Sequence, residues 1–187
     1  MNSLFKYLIA ILIGIALALA IVILIVMPQM NWSATGHPSR AEKTISRYVL
    51  GRWVAANATD HTNPLPATAD NLKLGREDYD NHCAVCHGYD GSARNLLHAD
   101  FYPPVARLHD GAPDLSDGKI YFIISNGIRF TPMPGFGAHH SPEEIWRMIL
   151  WVRHFPRLTA QEKADIATEM RTGPEEPEQA SPGAAGK

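Results

Sequence analysis

Cysteine is nearly missing from this chain, with two residues in 187. So low a count excludes a four-cysteine zinc site, and once both thiols are engaged elsewhere none is left for a structural disulfide. Charge of one sign is missing too: the formal net charge is −2. No basic field is present to hold nucleic acid, and no strong acidic face is visible. No internal repeat can be found. Between Tyr7 and Met27 there is no charged or strongly polar residue at all.

That last absence is itself a signal. Ile, Leu, Ala and Val dominate the run, and as a helix it spans about 30 Å, the thickness of a bilayer's hydrocarbon core. A buried soluble helix is rarely apolar on every face for so long. A cleavable signal peptide is the competing reading, but the apolar stretch exceeds the usual h-region and Met27-Pro28-Gln29-Met30 offers no small-x-small cleavage site. An uncleaved single-pass anchor is expected. The amino terminus and Lys6 place its front end in the cytoplasm and the remainder on the other side.

The two cysteines sit in Cys83-Ala84-Val85-Cys86-His87. Thiols at this spacing can each form a thioether to one heme, and the histidine that follows reaches the iron as proximal ligand. A redox dithiol, or a zinc site recruiting two scattered histidines, shares the bare C-x-x-C spacing. The adjacent His87 favours heme c, one per chain and covalent.

Outside the anchor, segment 31–71 contains Pro38, Pro64 and Pro66 and one helical piece, Ala41 to Asn57. There Ile45, Val49 and Trp53, with Arg47 and Arg52 between, make a short amphipathic segment. It serves either as a surface helix on a partner or membrane, or as a plain tether. Gly75 to His82 predicts a first core helix capped by Asp70 or Asn71, with Leu72, Tyr79 and His82 near one side. Residues 88–116 are rich in Gly, Pro, Asp and His and predict long loops. Asp117 to Asn126 predicts a helix stopped by Gly127. Ser141-Pro142-Glu143-Glu144 predicts a capped start, and Ile145, Met148, Ile149, Val152 and Phe155 continue it with one apolar face up to Pro156. Thr159 and Glu162 open a last helix to about Met170.

A six-coordinate heme needs a second axial ligand. Met133 lies in Thr131-Pro132-Met133-Pro134-Gly135, where two prolines stiffen the backbone and hold a thioether that has no hydrogen-bonding competitor. Met148 sits on an apolar helical stripe and reads as core. Met170 lies near a fraying end. His82, His98, His109, His139, His140 and His154 are the alternatives, His82 being too close to the attachment motif to reach the opposite heme face easily. An open or water-bound site is the third possibility.

Leu74 to Gly88, Gly127 to Phe136 and Glu143 to Phe155 resemble the first helix with its attachment motif, the methionine loop and the terminal helix of class I cytochrome c. The resemblance covers roughly residues 70–170. It implies an all-α fold around one heme, His87 and Met133 as iron ligands, and one-electron transfer without independent catalysis. Gly75 and Tyr79 would then cross the last helix at Trp151. Arg129 takes the place of a propionate counter-ion, or is a solvated loop arginine. Pro104 would restrain the His87 loop, and a backbone carbonyl of that region would accept the His87 ring proton. Asn63-Pro64-Leu65-Pro66 before the attachment helix resembles monoheme subunits of large quinol-oxidising membrane complexes.

The chain then divides into a cytoplasmic stub and transmembrane anchor (1–30), an extended linker (31–71), a cytochrome c domain (72–172) and a disordered tail (173–187). The expected function is a membrane-tethered electron carrier in a bacterial cytoplasmic membrane, its heme domain periplasmic. It would pass electrons between a membrane-embedded redox complex and a second electron-transfer protein. An open-site heme enzyme or ligand sensor is one alternative, although nothing resembles an acid–base pair suited to peroxide. A cytochrome subunit with an assembly role in a larger complex is the other.

Overall fold

In the computed structural model, which describes residues 3–172, every regular element is a helix. The expected tail beyond residue 172 lies outside the described residues. The chain divides into two units after Gly36.

The first unit contains α1 (Ser3–Ile21), continued without a break by a π turn at Val22–Val26 and a 3-10 turn at Met27–Gln29. Ser3–Gln29 contains an 18-residue stretch with a mean hydropathy of 3.4, and its length and composition suit a membrane crossing. Pro28 falls in the closing 3-10 turn, where an N–H is no longer needed. The Trp32 indole N–H donates to the Met27 carbonyl at 2.9 Å, which also accepts the backbone N–H of Met30, so the chain after the helix folds back on its last turn.

The second unit holds α2 (Arg40–Asn57), α3 (Ala69–His82), the single turn α4 (Ala84–His87), α5 (Asp117–Asn126), α6 (Pro142–His154) and α7 (Ala160–Thr172). Capping boxes open α2 and α6: Ser39 and Ser141 accept from the backbone N–H groups of Glu42 and Glu144, whose carboxylates accept from the serine N–H groups in return. The cap of α3 differs from expectation. Thr68 accepts from Asn71 N–H at 3.3 Å, so the helix starts at Ala69, and Asn71 uses its amide to reach back to the Pro66 carbonyl.

α3 and α6 form the central crossing. A Cβ on Gly75 would collide with the Arg147 carbonyl oxygen, so the two backbones touch where glycine lacks a side chain. Tyr79, Trp151 and Phe155 pack together below that point with Ala84, Tyr89, Val152 and Ile166. The Tyr79 and Phe155 rings meet edge to face at 5.2 Å. A second cluster joins α5 to α6 through Ile120, Ile124, Ile145, Met148 and Ile149.

Two clips close the periphery. Asn63 donates its N–H to Asp117 and its amide to the Trp146 carbonyl, tying the segment before α3 to α5 and α6. Arg153 pairs with Asp117 at 2.7 Å and donates to the carbonyls of Gly111, Ala112 and Leu115, which pins the long loop to α6.

The segment expected as an extended linker proves more structured than its composition suggests. α2 buries Val54, and its Trp53 ring meets Phe122 of α5 with centroids 4.7 Å apart. Ile45 and Val49, expected to share a working face with Trp53, are exposed. Ile45 lies nine residues from Val54, half a turn out of phase, so helical geometry sets them on opposite sides.

Candidate heme-binding site

α3 delivers the chain directly into the thiol motif. The Cys83 N–H donates to the Tyr79 carbonyl, and the N–H groups of Cys86 and His87 both donate to the Cys83 carbonyl. Both cysteines are free. Gly88 ends the turn at φ +76, where an added Cβ would also meet the Arg94 carbonyl oxygen at 2.9 Å. The Tyr79 hydroxyl donates to the Gly88 carbonyl at 2.8 Å, locking the exit of the turn to the first core cluster. Ala93 N–H to His87 carbonyl and Leu96 N–H to Val85 carbonyl fold the following loop back on the motif.

His87 Nδ1 lies 2.9 Å from the Ala106 carbonyl oxygen. A carbonyl only accepts, so this contact assigns the ring proton to Nδ1 and turns Nε2, with its lone pair, away from the backbone. Burial pushes the imidazole pKa down and outweighs the opposite pull of that hydrogen bond. Neutral imidazole is the form that binds a metal. Pro104 stands two residues before Ala106 and is solvent-exposed.

Met133 sits in a loop closed on itself. Ile128 N–H donates to the Met133 carbonyl at 3.1 Å, and Met133 N–H donates to the Thr131 hydroxyl at 3.2 Å. Gly127 enters the loop at φ +66, and a Cβ there would meet Gly135 N at 2.6 Å and the Met133 carbonyl oxygen at 2.7 Å. The half-buried Met133 packs on the second core cluster, whereas Cys83 packs on the first. Met148 is fully buried in the second cluster as core, and Met170 lies against the first. Arg129 is exposed and makes no ion pair among the described residues.

Several of the histidines have other occupations. His82 contacts the Asp78 carbonyl through Nδ1, and its ring lies 4.5 Å from that of His140 and 6.1 Å from that of Phe136. His154 contacts Glu162 at 3.0 Å. Among the described residues, no group of three or more His, Cys, Asp or Glu side chains is arranged to hold a metal ion. A zinc site completed by two histidines therefore finds no support. The Cys83 thiol is pushed up to about 12, by burial first and then by the carboxylates of Asp78 and Asp80 and the neighbouring Cys86. A redox dithiol needs the opposite shift, toward thiolate.

The donor set suits heme. Two free thiols stand at one helical turn's separation, the following imidazole is oriented through Nδ1 with Nε2 free, and a thioether is carried on a stiffened loop. The backbone carbonyl expected near Pro104 to accept the His87 ring proton is that of Ala106. Sequence reasoning did not single out the Tyr79 hydroxyl contact, which spans nine residues around the thiol turn, or the Asn63 clip, whose ends meet only once α5 and α6 pack.

Residues 70–152, a little under half the chain, match the protein family described as cytochrome C oxidase, cbb3-type, subunit III. No curated protein matches. Among solved structures, cytochrome cL from the marine methylotrophic bacterium Methylophaga aminisulfidivorans MPT is 18% identical, covering 72% of this chain and 83% of that one, with a TM-score of 0.34. So loose a superposition carries no argument. Residues 70–152 are thus similar to a cytochrome family, and the described residues form an all-α chain with one apolar N-terminal helix suited to single-pass membrane association.

Proposed function

We propose that this chain is a membrane-anchored monoheme electron carrier of the class I cytochrome c type. The observation that carries the reading is the Cys83–His87 turn, with His87 Nδ1 engaged by Ala106 and Nε2 left for iron. Cys83 and Cys86 would hold heme c through thioethers, His87 and Met133 would ligate the iron, and Pro104 would restrain the proximal loop. Arg129 is the candidate propionate counter-ion. When bound, the heme supplies a one-electron ferrous–ferric couple, and methionine ligation raises its potential relative to two histidines. The protein's part is to fix the imidazole, hold the thioether and exclude water from both faces. No independent catalysis is proposed.

The matched family is described as a subunit of an oxidase, which supports a place within a larger membrane-bound redox complex, with an embedded donor and a second electron-transfer protein as partners. The heme domain would face the periplasmic side of a bacterial cytoplasmic membrane. Lys6 adjoins the apolar run directly, whereas Arg40, Lys43 and Arg47 lie 11 residues or more beyond the helix end at Gln29, so the nearest flanking charge supports that orientation. Covalent heme attachment, which takes place outside the cytoplasm, would agree with it.

The test is made on purified full-length protein. Heme that stays with the chain under denaturation, and a reversible one-electron couple, are expected. Met133→Ala should abolish the ferric absorption band that reports sulfur coordination, lower the midpoint potential and let cyanide or imidazole bind. Unchanged spectra in both redox states would remove Met133 from the iron, and absence of covalent heme would sink the whole reading.

A further inference from the structure

Phe130 is out of place by two independent measures. Its side chain is 93% exposed, the most exposed large apolar residue among the described residues. Its backbone sits at φ +62, in the left-handed region that costs a bulky residue energy. Thr131 N–H donates to the Ile128 carbonyl at 3.2 Å, closing a four-residue turn with Phe130 in third place. Glycine or asparagine is favoured there when φ is positive. An aromatic ring is thus held where the backbone prefers no side chain, and at 93% exposure it gains almost no burial among the described residues to offset the strain.

Backbone strain of this kind persists where the surrounding structure enforces it, and it concentrates at functional sites. The enforcing structure is evident. The loop is closed by the bond from Ile128 N–H to the Met133 carbonyl, stiffened by Pro132 and Pro134, and seated by the close approach of Gly127 to Gly135. Phe130 stands at its tip, three residues before Met133. A ring on a stiff support loses little freedom when it enters a pocket, and so makes an efficient anchor for association.

We propose that Phe130 is the docking anchor of the methionine loop, inserting into an apolar recess on the one-electron redox protein that exchanges charge with this chain. The inference rests on the electron-carrier reading and adds to it the residue that selects the partner. Anchoring through this loop would seat the partner beside the segment that carries the candidate iron ligand, the short approach that electron transfer needs.

Phe130→Gly separates this role from a structural one, because the two readings predict opposite signs. Glycine relieves the positive φ, so the full-length variant in detergent is expected to melt a few degrees higher than the native protein, by roughly 2–4 °C. Its absorption spectra, midpoint potential and rate of oxidation by ferricyanide should be unchanged. In membranes of the producing organism carrying the variant in place of the native chain, oxidation of the heme by the endogenous chain should slow about 10- to 30-fold, as expected for loss of an aromatic hot spot. Phe130→Trp, which keeps a ring, should retain most of that rate.

Equal membrane rates for Phe130→Gly and the native chain would overturn the proposal. So would a shifted midpoint potential or a lower melting temperature, since either means that the ring covers the heme or the core. Protection of residues 128–131 from hydrogen exchange in nanodiscs containing this chain alone, compared with detergent, would mean that lipid and not a protein takes the ring. Failure of the carrier reading looks different: no covalent heme, and no ferricyanide reaction in any variant.

Discussion

Gly75 and Gly51 are both helical glycines, yet their surroundings predict opposite responses to a methyl group. At Gly75 the added carbon would collide with the Arg147 backbone, which cannot rotate aside, while at Gly51 nothing lies within 4 Å. Gly75→Ala is expected to cost about 1–3 kcal/mol through overpacking, whereas Gly51→Ala should be neutral or slightly stabilising. Thermal melts of the two variants check this, and equal melting temperatures would mean that α3 and α6 do not cross at Gly75. Asp80 makes a second prediction. Burial raises its pKa to about 6, opposed by the charge of Arg76, while Glu169 adds to the rise. Arg76 is itself lowered most by burial, but pairing with Glu169 and then Asp80 more than offsets this and leaves it above its ordinary value. Glu169 is the nearer partner of Arg76, at 2.6 Å against 3.2 Å for Asp80. A carboxylate raised on folding contributes stability when protonated and loses it as pH climbs through the folded value. The melting temperature of the native protein relative to Asp80→Asn should therefore fall between pH 4 and about 6. A flat difference across that window would contradict the assignment. At this scale the thiol motif and the Met133 loop were legible because their meaning is local in sequence. Asp80 was not, because its environment is assembled from Arg76 one turn back and from Glu169 on α7.

Among the elements, α2 departs furthest from what its composition promised. Its span could be anticipated from periodicity, and the observed start at Arg40 follows from the Ser39 capping box. Its working face could not. A helical period says which residues share a side, but which side finds a neighbour depends on Phe122, sixty-odd residues onward on α5. Trp53→Ala removes that ring contact, worth about 0.5–1.5 kcal/mol beyond the area it covers. Hydrogen exchange on the full-length protein should then show the amides of α2 losing protection while those of α3 and α6 keep theirs. Uniform protection in the variant would mean that α2 is held by something else. α6 was the most legible element, since its serine cap, its first-turn proline and its apolar face all agree with one another.

For the whole molecule, the packing of α2 shortens the free tether of the proposed carrier from the expected segment 31–71 to residues 30–39, about 35 Å when fully extended. A carrier on so short a lead searches a small volume, and its effective concentration near an embedded donor is correspondingly high. The two-cluster core was only half legible, because the apolar residues of α5 and α6 could be named in advance but not their division between clusters. The central crossing also orders events in time. Asn71 and Arg147, hydrogen-bonded across it, lie 76 residues apart. At synthesis rates of roughly 5–20 residues per second, Arg147 appears several seconds after the segment it must pack against. The thiols of Cys83 and Cys86 emerge early in that interval, before α6 exists to bury their helix. On the proposed reading the crossing would act as a clock for biogenesis, leaving the Cys83–His87 turn open to heme attachment before α6 closes over it. A chain ending at His140 should still acquire covalent heme in the producing cells, read as heme staining of the denatured polypeptide. Dependence of attachment on α6 would mean that folding comes first.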